Sequence, residues 1–216
     1  MTGDDSEAEL RFPLLYSASG AKIPFMSTVA STDQRTLRAD ARRNRERIVS
    51  AGRELFARLG PEAQMDDIAA HAGVGIGTVY RHFPTKEALL TEMVRSRFQE
   101  FSEIAISADD RDPREALEYV MLRSAEAVEG DSGFQLAMMG SNQLEWEGIE
   151  EQKAALAEAV SRIISRAVAA GVVREEFTFE DFAMVMCGVT ATMYYKPGSA
   201  DWRRYLELTL HGVCAP

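Results

Sequence analysis

Cysteine is scarce in this chain: two residues, Cys187 and Cys214, among 216. That excludes a disulfide-built scaffold, and their apolar helical surroundings suggest two reduced core thiols; a redox pair has no basic neighbour to support it. Histidine is scarcer still for its chemistry. The three, His71, His82 and His211, lie far apart with no metal-ligand spacing. No glycine-rich phosphate loop, nucleophile elbow or Cys–His pairing occurs, so the sequence gives no catalytic residue, no cofactor and no metal site. No apolar run approaches the roughly 20 residues of a membrane span. The N-terminus is acidic (Asp4, Asp5, Glu7, Glu9), without the basic start and apolar block of a secretory signal. Strand alternation and hairpin signals are missing throughout. A soluble, cytoplasmic, all-α protein is expected.

What is present is unevenly distributed. Hydrophobic residues make up 46%, enough to bury a core. The net charge is −10, but residues 35–97 carry 12 Lys+Arg against 8 Asp+Glu, a local +4. Residues 98–216 carry 10 against 21, a local −11. Attraction to phosphate acts over a Debye length of about 10 Å, so the local sign decides it. A basic front and an acidic rear suit a protein that meets nucleic acid with one end only.

Residues 1–36 show no periodicity and read as a flexible arm, in which Met26 is a second candidate start. Apolar positions at helical spacing predict a helix over 39–59, with Ile48, Leu55, Phe56 and Leu59 on one stripe and Gly60-Pro61 as its stop. Short helices follow over 65–72 and 76–83. Phe83-Pro84 ends the second, and Thr85 caps a longer helix buried through Leu89, Leu90, Met93, Val94, Phe98, Phe101 and Ile104. Asp112-Pro113 opens another helix, ending near Gly130. Further helices are predicted over 134–144, 149–170, from the capping box at Thr178–Asp181, and over 201–213.

The most informative stretch runs from Met65 to Leu90. Ala69, Gly73 and Val79 stand four and then six residues apart. A small residue lets two helices approach, a glycine permits the turn, and an apolar residue pins the second helix. That is a helix-turn-helix pattern, whose second helix enters a DNA major groove. The first residues of that helix meet base edges: Gly75, Ile76, Gly77 and Thr78. Ile76 suits a thymine methyl, and Thr78 reaches a base or a phosphate. The continuation Tyr80, His82, Phe83, Lys86 and Leu89 completes a pattern that resembles the TetR family of bacterial transcriptional regulators. The resemblance covers Arg38 to about Arg95.

It implies an N-terminal three-helix DNA-binding domain over 37–105 joined to a larger helical bundle over 106–216. The bundle is expected to bind a small-molecule effector and to form a homodimer. The resemblance also implies phosphate contacts from Tyr80, His82 and Lys86, which match the family residue by residue. Arg42, Arg43 and Arg45 reach phosphates or a minor groove, or form a solvated face. Two departures weaken the pattern. Ala63-Gln64 stands where the family often has a capping Thr or Ser, and Gly75 replaces the usual Ser.

Dimerisation also follows from recognition, since one helix reads too few base pairs and a two-fold dimer reads two half-sites. The apolar stretches of the last two helices are the expected interface, in part or wholly shared with the monomer core. An effector pocket needs adaptable apolar lining, for which Tyr119, Met121, Met138, Met139, Trp146, Phe182 and Met186 are the candidates. The function expected is a sequence-specific regulator, a repressor released from its double-stranded operator by a ligand. The rival is a helical partner-binding protein that has lost DNA binding.

Overall fold

The computed structural model describes residues 29–139, 148–195 and 201–214, with side chains from Thr36 onward except at position 37. Nine α-helices occur among the described residues: α1 Val29–Leu59, α2 Met65–Ala72, α3 Ile76–His82, α4 Lys86–Ile106, α5 Pro113–Val128, α6 Ser132–Met139, α7 Glu150–Ala169, α8 Phe179–Tyr195 and α9 Trp202–Val213. A single 3₁₀ turn, Gly60–Glu62, follows α1. The one extended pairing described is an isolated bridge between Val173 and Cys214. The chain is all-α, and no described helix is long and apolar enough to cross a membrane.

The chain falls into two units, residues 1–40 and 41–216. The first is described only as the opening of α1. That helix begins at Val29, inside the segment expected to be an arm and ahead of the expected start at Ala39. No glycine or proline lies between Val29 and Ala51, so backbone bonding continues where apolar periodicity gives no signal.

Within the second unit the core is continuous from Ile48 to Val213. Ile48, Leu55 and Phe56 of α1 are buried as the stripe predicts, but Leu59 is 41% exposed because α1 is already turning away into Gly60-Pro61. Leu89, Met93 and Val94 of α4 lie fully buried in the same core cluster. α6 begins against both helices. A Cβ on Gly133 would stand 2.0 Å from Met93 Cε and 3.4 Å from Phe56 Cδ2, so a side chain here would require the end of Met93 to move aside.

The ends of the helices follow their capping residues. Asp112 accepts the Arg114 N–H ahead of Pro113, and Thr85 accepts the Ala88 N–H at 3.1 Å. Thr178 and Asp181 form a reciprocal box: the Asp181 carboxylate accepts the Thr178 N–H at 3.0 Å, and the Thr178 hydroxyl accepts the Asp181 N–H at 3.4 Å. Two expectations are corrected. α6 starts at Ser132 rather than Phe134 because Asp131, buried, accepts the Phe134 N–H at 3.0 Å and caps the helix. The expected end of this helix at Leu144 lies outside the described residues. The cysteines are not core thiols either. Cys187 is exposed on α8, and Cys214 follows α9, where Arg114 donates to its sulfur at 3.2 Å.

Candidate nucleic-acid interface and cavity

The turn between α2 and α3 is made by backbone rather than side chains. Gly73 adopts φ 63° and ψ 39°, the left-handed region. Its N–H donates to Ala70 O at 3.2 Å, and the Val74 N–H donates to Ala69 O at 3.1 Å. These two bonds satisfy the last carbonyls of α2 in a Schellman arrangement. Arg47 of α1 reaches over to donate to Gly73 O at 3.3 Å. Ala69 and Ala72 are buried beside Ile68, and Val79 is fully buried beneath α3. The three motif residues therefore perform the jobs their types suggest. His71 and Glu54 also pair at 2.7 Å, joining α2 to α1. The hydrogen bond from His71, followed by its charge, holds the Glu54 carboxyl below the usual carboxylate range.

Neither helix of the motif has a side-chain cap. Gln64 precedes α2 in extended backbone and turns its amide back to Glu62 O at 2.9 Å. Gly75 precedes α3, likewise extended. The departures seen in sequence thus leave the first N–H groups of both helices without side-chain acceptors from their caps.

The start of α3 is turned outward. Ile76 is 38% exposed, Gly75 and Gly77 are exposed, and Thr78 is half-buried. Tyr80 is 48% exposed and Arg81 is exposed, while His82 is half-buried beside Phe83. Phe83 leaves the helix in extended backbone (φ −136°) ahead of Pro84 and is buried.

The cations behave less uniformly than expected. Arg42 and Arg43 are exposed on α1, Arg42 with Glu46 at 3.7 Å one turn on. Arg45 is different: it ion-pairs with Glu92 of α4 and lies 4.9 Å over the Phe83 ring. Glu92 also pairs with Arg95 at 2.5 Å. Half-burial works to raise the Glu92 pKa, but the hydrogen bonds and charges of Arg45 and Arg95 outweigh it and hold the carboxyl below its usual range. Lys86 donates to Pro61 O and lies 5.3 Å over the Phe56 ring. Both cations brace α4 against α1 and the turn that follows it. Sequence reasoning missed Glu92, since its partner Arg45 is distant along the chain.

It also missed the buried charge behind the motif. Arg97 and Asp131 form an ion pair with side chains 8% and 4% exposed. Arg97 also donates to Glu100 at 2.6 Å, and Arg53 Nε lies 3.8 Å from the same Asp131 carboxylate. Asp131 follows a glycine and precedes a helix, the position of an N-cap, and that was the available signal.

Behind α4 lies an apolar cavity of about 100 Å³. Its wall is formed by Phe98 and Phe101 of α4, Ser124 and Val128 of α5, Phe134 and Met138 of α6, Leu156 of α7, and Phe179, Phe182, Met186, Cys187 and Thr190 of α8. Met138, Phe182 and Met186 were anticipated. Met121 is instead fully buried in the core, and Met139 does not line this cavity. Tyr119 is elsewhere too, its ring under the Arg111 guanidinium at 3.9 Å. Trp146 lies outside the described residues.

Comparison with other proteins finds two family models along the chain. Residues 48–93 match the family model described as bacterial regulatory proteins, tetR family. Residues 112–215 match the model described as transcriptional regulator SbtR-like, C-terminal domain. The HTH-type transcriptional repressor KstR of Rhodococcus jostii (strain RHA1) is 26% identical over 174 residues, covering 77% of this chain and 80% of that one. A crystal structure of the TetR transcription regulatory protein from Mycobacterium vanbaalenii is 30% identical with a TM-score of 0.59, covering 83% of this chain and 99% of that one. A crystal structure of a gamma-butyrolactone receptor, an ArpA-like protein, is 25% identical with a TM-score of 0.61, covering 82% and 90%.

Proposed function

The chain belongs to the TetR family of bacterial transcriptional regulators, and on that footing we propose that it is a cytoplasmic repressor, not an enzyme, released from its operator by a small apolar ligand. The observation that carries this is the outward face of α3. Ile76, Gly77 and Tyr80 are exposed on a helix whose opposite residue, Val79, is fully buried. A helix so held presents its first turn to a major groove.

In this reading Ile76 packs on a thymine methyl, with Gly75 and Gly77 allowing close backbone approach and Thr78 reaching a base or phosphate. Tyr80 and His82 donate to the phosphate backbone. Arg42 and Arg43 add charge from α1. Lys86 contributes its charge near the start of α4 while exchanging the Pro61 carbonyl for a phosphate. Arg45 is neutralised by Glu92 and serves as a brace rather than a contact. The homodimer forms through α8 and α9, where Met184, Tyr195 and Leu208 are 68%, 65% and 55% exposed. Trp202 and Leu206 are buried within the monomer, so in this reading only part of the apolar surface of α9 serves the interface.

Coupling runs along α4. Its first turn adjoins the recognition helix, and its Phe98 and Phe101 wall the cavity. A ligand that favours one setting of α4 shifts the population away from the spacing that fits two half-sites, and DNA reciprocally weakens the ligand. The related proteins named as a repressor and as a gamma-butyrolactone receptor support a ligand-relieved repressor. Selection of binding sites from random DNA with the full chain tests the proposal. A two-fold symmetric site should be enriched, with a thymine preference that Ile76→Ala relaxes. Failure to enrich any symmetric site would contradict it.

A further inference from the structure

The cavity wall carries no charged side chain among the described residues. A carboxylate or phosphate placed there would lose its hydration without a partner, which disfavours anionic ligands. Cys187, exposed on α8 but lining one side of the cavity, has its thiol pKa raised by partial burial and presents no charge there. The dominant surface is aromatic. Phe101 and Phe134 meet edge to face at 5.8 Å, with Phe98 6.4 Å from Phe134. Phe179 and Phe182 stack at 6.2 Å on α8. Such a wall offers both ring faces and ring edges to a flat guest.

One polar group in this wall is unspent. Hydroxyls on helices commonly bond back to the carbonyl one turn earlier, and Ser102, Ser165, Thr190 and Thr192 all do so, at 2.8–3.0 Å. Ser124 does not. It is 2% exposed, and its hydroxyl oxygen has no hydrogen-bond partner. A buried hydroxyl left unbonded is unfavourable, and a ligand that bonds it removes that cost.

The volume limits what can enter. About 100 Å³ is somewhat below the roughly 150 Å³ of a cavity that accepts benzene. Met138 and Met186, both unbranched, can yield the small difference. Building on the proposal that this cavity is the effector site, we infer that it selects an uncharged, single-ring aromatic molecule whose hydroxyl bonds the Ser124 hydroxyl. Thr190, already bonded to Met186 O, supplies at most an acceptor.

Phenol, benzene, cyclohexanol and benzoate are suitable probes, titrated into the full-length protein. Binding is read from the methyl NMR signals of Met138 and Met186, which a bound ring displaces. Phenol should bind about three- to tenfold more tightly than benzene, the span of one neutral hydrogen bond. Cyclohexanol should bind more weakly than phenol, and benzoate should not saturate. Ser124→Ala should bring phenol and benzene to nearly equal affinity, and Ser124→Thr should restore part of the preference. Benzoate binding as tightly as phenol, an unchanged preference in Ser124→Ala, or no saturable binding of phenol would each overturn the inference. Operator release is titrated separately. Release by a charged ligand that does not compete with phenol would overturn the ligand chemistry and leave the regulatory proposal standing. Phenol binding in the predicted order would uphold the chemistry even if no ligand affected the operator.

Discussion

The two ends of α4 are held by opposite means. At its start, Thr85 caps the helix, Lys86 bonds the Pro61 carbonyl and Glu92 is clamped by Arg45. Further along the helix, Phe98 and Phe101 face an apolar cavity with spare volume. Hydrogen bonds and ion pairs have steep distance and angle requirements, so they hold the end beside α3 in one setting. Aromatic and methionine contacts tolerate small rearrangement, so the other end can admit a guest. Between the two ends sits the buried Arg97–Asp131 pair. It joins α4 to the first turn of α6, which itself lines the cavity through Phe134 and Met138. In the proposed function, this difference lets one helix serve as both a fixed support for DNA reading and a movable wall for a ligand.

The comparison can be broken most severely at its middle. Asp131→Ala leaves Arg97 buried with only Glu100 and removes the cap of α6. It should lower stability by about 3–5 kcal/mol, read from denaturant unfolding, because a buried charge loses its partner. A loss under 1 kcal/mol would mean that the pair does not anchor α4. Next in size is the polar end's dependence on its turn. Gly73→Ala puts a side chain at φ 63° and a Cβ 2.8 Å from Arg47 Nη2. It should cost roughly 1–2 kcal/mol in thermal unfolding and weaken DNA binding. Thr85→Ala should cost about 1 kcal/mol and speed hydrogen exchange at the Ala88 amide, leaving the phenol affinity of the cavity unaltered.

The smallest effect is a pH dependence. The folded pKa of Glu92 is depressed, so its clamp on Arg45 contributes fully above the unfolded carboxylate value of about 4.3 and is lost as pH falls through the lower folded value. The wild type should therefore lose more stability than Glu92→Gln on acidification below about pH 4.3. Parallel stability–pH curves for the two would show that the clamp contributes nothing.

Most helices could be read from the sequence because their ends are chemical: Asp112 before Pro113, the Thr178–Asp181 box and Gly73 each dictate a local bond that needs no distant partner. The recognition face was legible for the same reason, since Val79 inward and Ile76 and Tyr80 outward follow from three residues of one turn. What depends on partners far along the chain was not legible. Arg45 has chemistry suited to a phosphate or to a solvated face, and its pairing with Glu92 of α4 could not be read from α1 alone. Arg97 is interior because it pairs with Asp131, a partner on another element. Tyr119 and Met121 have pocket-like chemistry, but their positions on α5 turn one toward Arg111 and the other into the core. The opening of α1 before Ala39 was missed because a helix there shows no apolar stripe.

The central claim is that the outward face of α3 grips a DNA backbone. Its most direct test is the affinity of the full-length protein for its own upstream DNA, by fluorescence anisotropy across a salt series. Phosphate contacts predict a steep linear fall of log affinity with log salt concentration. Replacing Lys86 by Gln should make that slope shallower by nearly one, and Tyr80→Phe should weaken binding at every salt concentration without unfolding the protein. Absent binding, or binding indifferent to salt, would contradict the claim and favour a helical partner-binding protein instead.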